Sequence, residues 1–249
     1  APVEELQGAS GIIYSGGPSS VYDENAPEYN PEIINIMAKY PNLMAYIHLP
    51  IQSGSEEILT KMNRPMKMKS YIEIINSIRK NIKNCTISTD IIVGFPNESN
   101  KDFRKTLKLY KKVKFDNAYT FIYSPRVGTP AANMVDKIDM DTKQKRLTKL
   151  NKLVRKYSKW NNNKYIGKVL NVLVDGFSKT NKGMLTGYSH NWKLVNFKGD
   201  AKPGEFVNVK ITDILDILLV AVIDTAKLVP FLLFTYLAME YIEHKTGEK

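Results

Sequence analysis

Three strand-like segments, each running into a loop that contains glycine, constrain this chain more than any other feature. They read YIHLPIQSGS (46–55), TISTDIIVGFP (86–96) and AYTFIYSPRVGTPA (118–131). Helix-like stretches rich in lysine separate them, so the chain alternates strand, loop and helix. The second segment is apolar on both faces at its end, which is typical of a strand buried in a parallel sheet. Because α/β barrels build their active sites on the loops that leave their strands, the pattern predicts a site on these three loops.

Capping residues and hydrophobic spacing predict the helices that connect these strands. Ser53 and Glu56 have the spacing of a capping box, so a helix is expected to begin directly after the first strand. Ser99 and Asp102 have the same spacing and predict another helix after the second strand. A long helix with lysines on its polar positions is predicted over 139–162; such lysine faces either stay solvated or contact RNA.

From residue 165 the pattern changes to short strands separated by Asn, Gly and Pro. They read KVLNVLVDGF, GMLTGYS, KLVNFKG and EFVNVKITDI, which predicts a small β-barrel after a domain boundary near Asn163. Lysines alternate there with aromatic residues, among them Phe177 and Phe197. Cations interleaved with aromatic rings suit phosphate contact and base stacking, whereas the alternative is ordinary surface composition. The residues predicted to contact RNA are Lys179, Lys182, Tyr188, Trp192, Lys193 and Lys198.

The last segment, 214–249, is far more apolar than the rest and is predicted to be helical. Its longest uncharged stretch, 228–239, has 12 residues, fewer than the roughly 18–20 that a membrane span needs. A buried helix, an interfacial helix and a piece of a larger membrane domain remain open alternatives.

The charge and the cysteine content limit the class of protein. A formal net charge of +11 favours polyanionic partners, meaning nucleic acid or an anionic membrane, although a lysine-rich proteome would give the same charge without a partner. Cys85 is the single cysteine, so the chain can form neither an internal disulfide framework nor a metal site with several cysteines. With no signal peptide visible, the composition predicts a cytoplasmic protein.

The middle of the chain resembles the radical-SAM methylthiotransferases. The matching stretches are AKYPNLMAYIHLPIQSGS, STDIIVGFPNES, NAYTFIYSPRVGTPAA and the basic barrel ending in VNVKITD, from about Pro31 to Asp213. The tRNA-modifying branch is the nearer one, because the ribosomal-protein branch tends to carry an acidic residue where this chain has Arg126. The resemblance implies methylthiolation at carbon 2 of an isopentenyl-type adenosine beside the anticodon, using S-adenosylmethionine and two iron–sulfur clusters.

The resemblance also implies a fold and its gaps. Residues 46–131 would be strands four to six of a six-stranded partial radical-SAM barrel, and 165–213 a TRAM domain that holds tRNA. The family's N-terminal domain, its CxxxCxxC loop and strands one to three have no counterpart here. We therefore expect no turnover and no iron–sulfur cluster in this chain, and S-adenosylmethionine binding that is weak or lost. The candidate partners are tRNA, the missing half of the barrel and, through 214–249, a membrane.

The flanks resemble other families. GIIYSGGPSSVYDENAP resembles the early part of the glutamine-amidotransferase domain of GMP synthetase, and the segment around LVPFLLFTYL loosely resembles the opening helix of a metal-efflux permease. The expected organisation is an amidotransferase-like flank over 1–31, the C-terminal half of a radical-SAM barrel over 32–163, a TRAM-like barrel over 164–213, and an apolar helical, permease-like flank over 214–249.

Seven residues at the strand ends are predicted to bind S-adenosylmethionine. The resemblance implies that the loop after the first strand faces the amino-acid end of the cofactor and that the loop after the second shapes its adenine end. A carboxylate in an apolar strand must be paired or face a cavity, and an arginine fork suits a carboxylate or phosphate. Helix capping by Ser53 and a plain turn at 94–96 remain alternatives. The seven residues are Gln52, Ser53, Gly54, Asp90, Gly94, Phe95 and Arg126.

Two further polar residues are interpreted as structural. His48 has no second histidine nearby and is taken as a satisfied core histidine, and Cys85 as a small apolar filler. No catalytic residue is assigned. The chain is thus predicted to be a fragment of a tRNA methylthiotransferase that retains tRNA binding. The alternative is a non-functional chimeric or scaffold protein with a membrane-associating C-terminal helix.

Overall fold

The structure, a computed structural model, describes residues 32–179, 181, 183–215 and 218–223. These residues divide into two compact units, one formed by 46–164 and the other by 32–45 with 165–223. In chain order the elements are α1 (Glu32–Lys39), β1 (Tyr46–His48), α2 (Glu56–Lys61), α3 (Met68–Asn81), β2 (Thr86–Val93), α4 (Asn100–Val113), β3 (Asn117–Ile122), a 3-10 helix (Pro130–Asn133), α5 (Met140–Asn163), β4 (Val169–Phe177), β5 (Leu185–Ser189), β6 (Leu194–Lys198), β7 (Phe206–Leu215) and β8 (Leu218–Ile223).

The unit of 46–164 contains a parallel sheet in the order β1-β2-β3. The central strand β2 buries Ile87, Ile91 and Val93 completely, together with apolar residues of α3, α4 and α5. This arrangement confirms the predicted alternation of parallel strands and helices. The assignment of these strands to positions four to six of a larger barrel stays a prediction.

The two predicted capping boxes have different outcomes. At α4 the Asp102 amide donates to Ser99 Oγ at 3.2 Å and the Ser99 amide donates to the Asp102 carboxylate at 3.2 Å, so this capping box is confirmed. At α2 the predicted capping box of Ser53 and Glu56 is wrong, because Ser55 takes the N-cap position and makes no side-chain capping bond. Ser53 Oγ instead accepts from the Ser55 amide at 3.2 Å, and Glu56 accepts from the Met68 amide at 2.8 Å.

The second unit contains a closed barrel with the strand order β4-β5-β6-β8-β7. Neighbouring strands are antiparallel except β6 and β8, which pair in parallel. Inward-facing residues of all five strands form its core: Val172, Val174, Leu185, Val195, Phe197, Val209, Ile211 and Leu219. The predicted barrel is therefore confirmed, with one strand more than the sequence indicated.

The fifth strand corrects the expectation of a helix from residue 214. Residues 214 and 215 complete β7, and β8 closes the barrel between β6 and β7. Leu219 is fully buried in the barrel core. The run LLVAVI (218–223) is short and apolar, which fits a buried helix as well as a buried strand, and its pairing with β6 and β7 makes it a strand.

The two flank predictions fall mostly outside the described residues. The amidotransferase-like segment 1–31 and the rest of the apolar segment, 224–249, are not among the residues that the structure describes. Among the helices it does describe, none is long and apolar enough to cross a bilayer.

Candidate functional site

A cleft of about 790 Å³ opens in the unit of 46–164, where the loops leave the sheet. Four of the seven predicted cofactor residues line it: Gln52, Asp90, Phe95 and Arg126. The sheet thus brings together residues that the sequence separates by up to 74 positions, because parallel strands end at the same edge. Whether these residues bind S-adenosylmethionine stays a prediction.

Gln52 is held in the cleft by backbone bonds to the neighbouring strand. Its amide donates to the Asp90 carbonyl oxygen at 2.8 Å, and its own carbonyl oxygen accepts from the Ile92 amide at 2.9 Å. Its φ of 64° lies in the left-handed region, which costs a residue with a Cβ roughly 1–2 kcal/mol. Strain of this kind concentrates at functional sites, so it favours a role for the Gln52 side chain.

Asp90 meets His48 on the same face of the sheet. Asp90 Oδ1 lies 3.4 Å from His48 Nε2, and His48 Nδ1 lies 2.7 Å from Ser88 Oγ. The His48 ring packs edge-on against Tyr119 with 5.8 Å between ring centroids. Since a third of the His48 side chain is exposed, the interpretation of His48 as a core histidine is wrong.

The sequence contains a signal for this cluster in the spacing of its polar residues. His48 pairs in register with Ser88, and Asp90 stands two residues further along the same strand. Side chains two residues apart point to the same face of a strand, so parallel pairing of the first two segments would bring His48 beside Asp90.

Ser53 and Gly54 lie against α4 and are not among the residues that line the cleft. Ser53 is fully buried, and the Gly54 amide donates to Thr106 Oγ1 at 2.9 Å. A Cβ on Gly54 would lie 2.5 Å from the Thr106 Cα, so only glycine allows this approach. Their positions support an anchoring role, and the predicted contact with a cofactor remains a prediction.

The anchor continues to the capping carboxylate of α4. Ser55 Oγ donates to Asp102 Oδ1 at 2.7 Å, and Lys105 Nζ donates to the same oxygen at 2.8 Å. Burial acts to raise the pKa of Asp102, but hydrogen bonds from Lys105, Ser99 and Ser55 outweigh it and hold the pKa well below its usual range. The loop after β1 is therefore fixed to α4 by an ionised carboxylate.

The loop after β2 is held by buried charges. The Gly94 amide donates to Glu98 Oε2 at 2.9 Å, and Arg146 of α5 binds the same oxygen at 2.6 Å. Gly94 has a φ of 71°, and a Cβ there would lie 2.5 Å from the Lys143 Cγ. Gly94 is therefore a backbone requirement and is not among the residues that line the cleft. Phe95 does line it, with its ring edge-on to Tyr123 at 5.0 Å between centroids.

The cleft carries more positive than negative charge. Lys61, Arg64 and Arg126 line it together with the carboxylate of Asp90, and aromatic rings of Phe95 and Phe121 complete the wall. Cations, one carboxylate and aromatic faces suit a ligand that has an acidic group at one end and a flat ring at the other.

Five of the six residues predicted to contact RNA are described by the structure, and they differ in exposure. The Tyr188 and Trp192 rings stack at 4.3 Å with an angle of 15° between them. Lys179 and Lys198 are exposed, whereas Lys182 is not among the described residues. Lys193 is only 6% exposed, and its Nζ lies over the Tyr165 ring at 5.7 Å. The observed burial of Lys193 and of Phe197 does not suit a surface contact.

The residues of this chain do not fit an iron–sulfur cluster. A cubane cluster needs three or four thiolates, and the chain contains one cysteine. Cys85 is half-buried, and burial, with Asp116 nearby, raises its thiol pKa to about 12. Within the described ranges, no three His, Cys, Asp or Glu side chains group as metal ligands.

Comparison with known families gives two matches along the chain. Residues 5–110 match the Radical SAM superfamily, and residues 163–221 match the TRAM domain. The first match covers the whole stretch GIIYSGGPSSVYDENAP compared above with GMP synthetase, and the comparisons support neither that resemblance nor the one to a permease. The TRAM match extends into β8, in agreement with the closed barrel.

Individual relatives of this chain are tRNA-modifying enzymes of one name. The tRNA-2-methylthio-N(6)-dimethylallyladenosine synthase of Malacoplasma penetrans (strain HF-2) is 57% identical over 188 residues, covering 76% of this chain and 38% of the relative. The protein of the same name from Bacillus subtilis (strain 168) is 49% identical over 185 residues, covering 74% and 36%. The chain thus spans little more than a third of their length. These matches support the resemblance to tRNA methylthiotransferases.

Seven chains of solved structures match this chain, among them a radical SAM enzyme. Coproporphyrinogen III oxidase from Escherichia coli, a radical SAM enzyme, is 16% identical and covers 52% of this chain and 30% of its own, with a TM-score of 0.45. A TM-score of that size does not establish a shared fold.

Proposed function

We propose that this chain is a piece of a tRNA methylthiotransferase and that its barrel binds tRNA. The observation that carries the proposal is the closed five-stranded barrel that coincides with the TRAM match. It carries exposed lysines at one end of the β5–β6 hairpin and an aromatic stack at the other. Relatives named for a tRNA modification support the choice of RNA. tRNA would be met in the cytoplasm, and the missing half of the radical-SAM barrel would be a second partner.

The surface on the barrel would combine phosphate contacts with stacking. Lys179 and Lys198 supply exposed ammonium groups, and the Tyr188–Trp192 stack presents an aromatic face, with Trp192 39% exposed. Base stacking on an aromatic ring is worth about 1–3 kcal/mol per base. The buried Lys193 would not contact RNA itself; its ammonium group, over the Tyr165 ring, would hold the turn between β5 and β6 in place.

Binding of bulk tRNA to the purified chain at about 50 and 200 mM salt tests the proposal. We expect saturable binding that weakens steeply with salt, and weaker binding for the double variant Lys179→Gln, Lys198→Gln. The matched control is Lys80→Gln, Lys83→Gln, which removes two exposed lysines from the other unit. Absence of tRNA binding in the unmodified chain, or equal losses in both double variants, would contradict the proposal.

A second candidate function is residual binding of S-adenosylmethionine in the cleft. It is favoured by the convergence of Gln52, Asp90, Phe95 and Arg126 on one opening. Arg126 would hold the carboxylate end, and Phe95 the ring. When bound in the intact enzyme, the cofactor would be cleaved at an iron–sulfur cluster. This chain has one cysteine, too few thiolates to hold that cluster, so we propose binding only.

Equilibrium dialysis with S-adenosylmethionine measures this candidate directly. We expect weak binding that Arg126→Gln abolishes and that the exposed control Lys137→Gln leaves unchanged. Equal binding by both variants would exclude the cleft as the site.

A further inference from the structure

The outer face of α5 carries a row of lysines, here called the lysine stripe: Lys145, Lys149, Lys152, Lys156 and Lys159. Successive members are four, three, four and three residues apart, so at 100° per residue they fall within about 80° of the helix circumference. All five are exposed, whereas Leu150, Val154 and Ser158 on the opposite side of α5 are buried. At 1.5 Å per residue the stripe extends for about 21 Å.

The stripe is charged without compensation along most of its length. Lys145 pairs with Asp141 at 2.5 Å, but the other four lysines form no ion pair within the described ranges. No acidic residue follows Asp141 in α5. Like charges three or four residues apart on a helix cost a few tenths of a kcal/mol per pair. The stripe therefore weakens the isolated helix, and a bound polyanion would remove that repulsion.

An exposed aromatic residue adjoins the C-terminal end of the stripe. Trp160 follows Lys159 and is 57% exposed. The Lys114 Nζ lies 4.7 Å from the centroid of its ring, and Asn161 Nδ2 donates to the Lys114 carbonyl oxygen at 3.0 Å. The Lys114 ammonium covers one face of this indole, and more than half of the Trp160 surface is open to solvent, so the other face can stack against an unpaired base.

We propose that the lysine stripe and Trp160 form a second RNA-binding surface, distinct from the barrel. The lysines would contact consecutive phosphates, and Trp160 would stack on an unpaired base. The proposal rests on the proposed tRNA binding and adds a surface that lies entirely within the unit of 46–164. An anionic membrane is the competing polyanion. The location of an exposed ring at one end of a row of charges favours a strand of nucleotides.

The test compares two triple variants that remove the same charge. Lys149→Gln, Lys152→Gln, Lys156→Gln neutralises the stripe, and Lys69→Gln, Lys80→Gln, Lys83→Gln neutralises three exposed lysines on and after α3. Binding of bulk tRNA is measured across a salt series in the full chain. For the stripe variant we expect an affinity loss of about tenfold or more and a salt slope reduced by about 2 to 3. We expect less than about a twofold change for the control.

Tryptophan fluorescence supplies a second readout. The chain has two tryptophans, so Trp192→Phe leaves Trp160 as the reporter and Trp160→Phe leaves Trp192. We expect tRNA to quench Trp160 in the first variant, whereas quenching of Trp192 in the second reports on the barrel.

The outcomes separate this inference from the proposed function. If the two triple variants bind tRNA equally well and tRNA quenches Trp192 alone, the stripe is not a binding surface and the barrel proposal stands. If the unmodified chain does not bind tRNA, both proposals fail. A third outcome is that the unmodified chain binds vesicles of phosphatidylserine and phosphatidylcholine through the stripe, while the two triple variants have equal affinities for tRNA. That outcome would assign the surface to a membrane and overturn the inference.

Discussion

Gln52 combines an unfavourable backbone conformation with a position in the cleft. Its left-handed φ is imposed by the bonds to Asp90 and Ile92, and glycine would adopt that conformation without strain. We expect Gln52→Gly to leave the free energy of unfolding unchanged or to raise it by up to about 1 kcal/mol, because strain is relieved while chain entropy is lost. The same change should weaken S-adenosylmethionine binding, since it removes the amide. Urea denaturation and equilibrium dialysis measure the two effects, and a clear loss of stability would show that the side chain has a structural role.

Asp102 makes the stability of the unit of 46–164 depend on pH. Its pKa is lowered in the folded state, against about 3.9 in the unfolded chain, so its contribution is complete above the unfolded value and disappears as pH falls through the folded value. We expect Asp102→Asn to lose about 1–3 kcal/mol at pH 7, with the difference from the unmodified chain shrinking below about pH 4. Denaturation series at several pH values measure this. The exposed control Asp141→Asn should cost less than about 1 kcal/mol at every pH.

Gly54 sets the distance between the loop after β1 and α4. Because a Cβ would meet the Thr106 backbone at 2.5 Å, Gly54→Ala is expected to destabilise the unit by about 2 kcal/mol or more. The comparison is Gly128→Ala, where φ is 86° and no atom lies within 4 Å of the added carbon, so only backbone strain of about 1–2 kcal/mol applies. Thermal or urea unfolding measures the stability of the two variants. Equal losses of stability in both would mean that the loop after β1 can shift away from α4.

At the scale of elements, β8 decides whether the barrel closes. It supplies the ladder partners of both β6 and β7, and Leu219 contributes a fully buried side chain. We expect a chain that ends at Asp213 to lose the barrel and its tRNA binding, because two strand edges and the core are then open to solvent. A chain that ends at Asp224 retains β8 and should keep both. Circular dichroism and tRNA binding measure the difference, and full binding by the shorter chain would contradict the role of β8.

A milder test of the same element uses one side chain. Leu219→Ala removes buried atoms from the barrel core and should cost about 2–5 kcal/mol, whereas Leu194→Ala, on β6 and 40% exposed, should cost under about 1 kcal/mol.

At the scale of the whole molecule, each unit has a core of its own. Ile75, Ile91 and Tyr110 are buried in one unit, and Val195 and Phe197 in the other. We therefore expect two unfolding transitions in urea. Leu219→Ala should shift one of them and Ile75→Ala the other; a single transition that both variants shift alike would show that the units unfold together.

Much of this architecture could be predicted from local patterns. The strands β1, β2 and β3, the helix α5 and four strands of the barrel follow from period and turn residues, which each segment carries by itself. The strand β8 could not be assigned in this way, because a short apolar run fits a buried helix and a buried strand equally well.

The residues of the candidate site likewise include some that local patterns predict and some that they do not. Gln52, Asp90, Phe95 and Arg126 could be found because loops after parallel strands converge. The contact of His48 with Asp90 depends on the register between two strands, and the burial of Lys193 depends on the closing of the barrel. Both are properties of pairing between distant segments, which no local pattern contains.

The order of strands in the barrel has a consequence for synthesis on the ribosome. The strand β8, which lies between β6 and β7 in the barrel, is the last of the five strands to be translated, and it pairs with β6 in parallel. Translation adds about 5–20 residues per second, so the residues between the end of β7 and the end of β8 take on the order of a second to appear. During that interval the nascent chain exposes the unpaired edges of β6 and β7, and it would then be a substrate for chaperones that bind extended apolar segments.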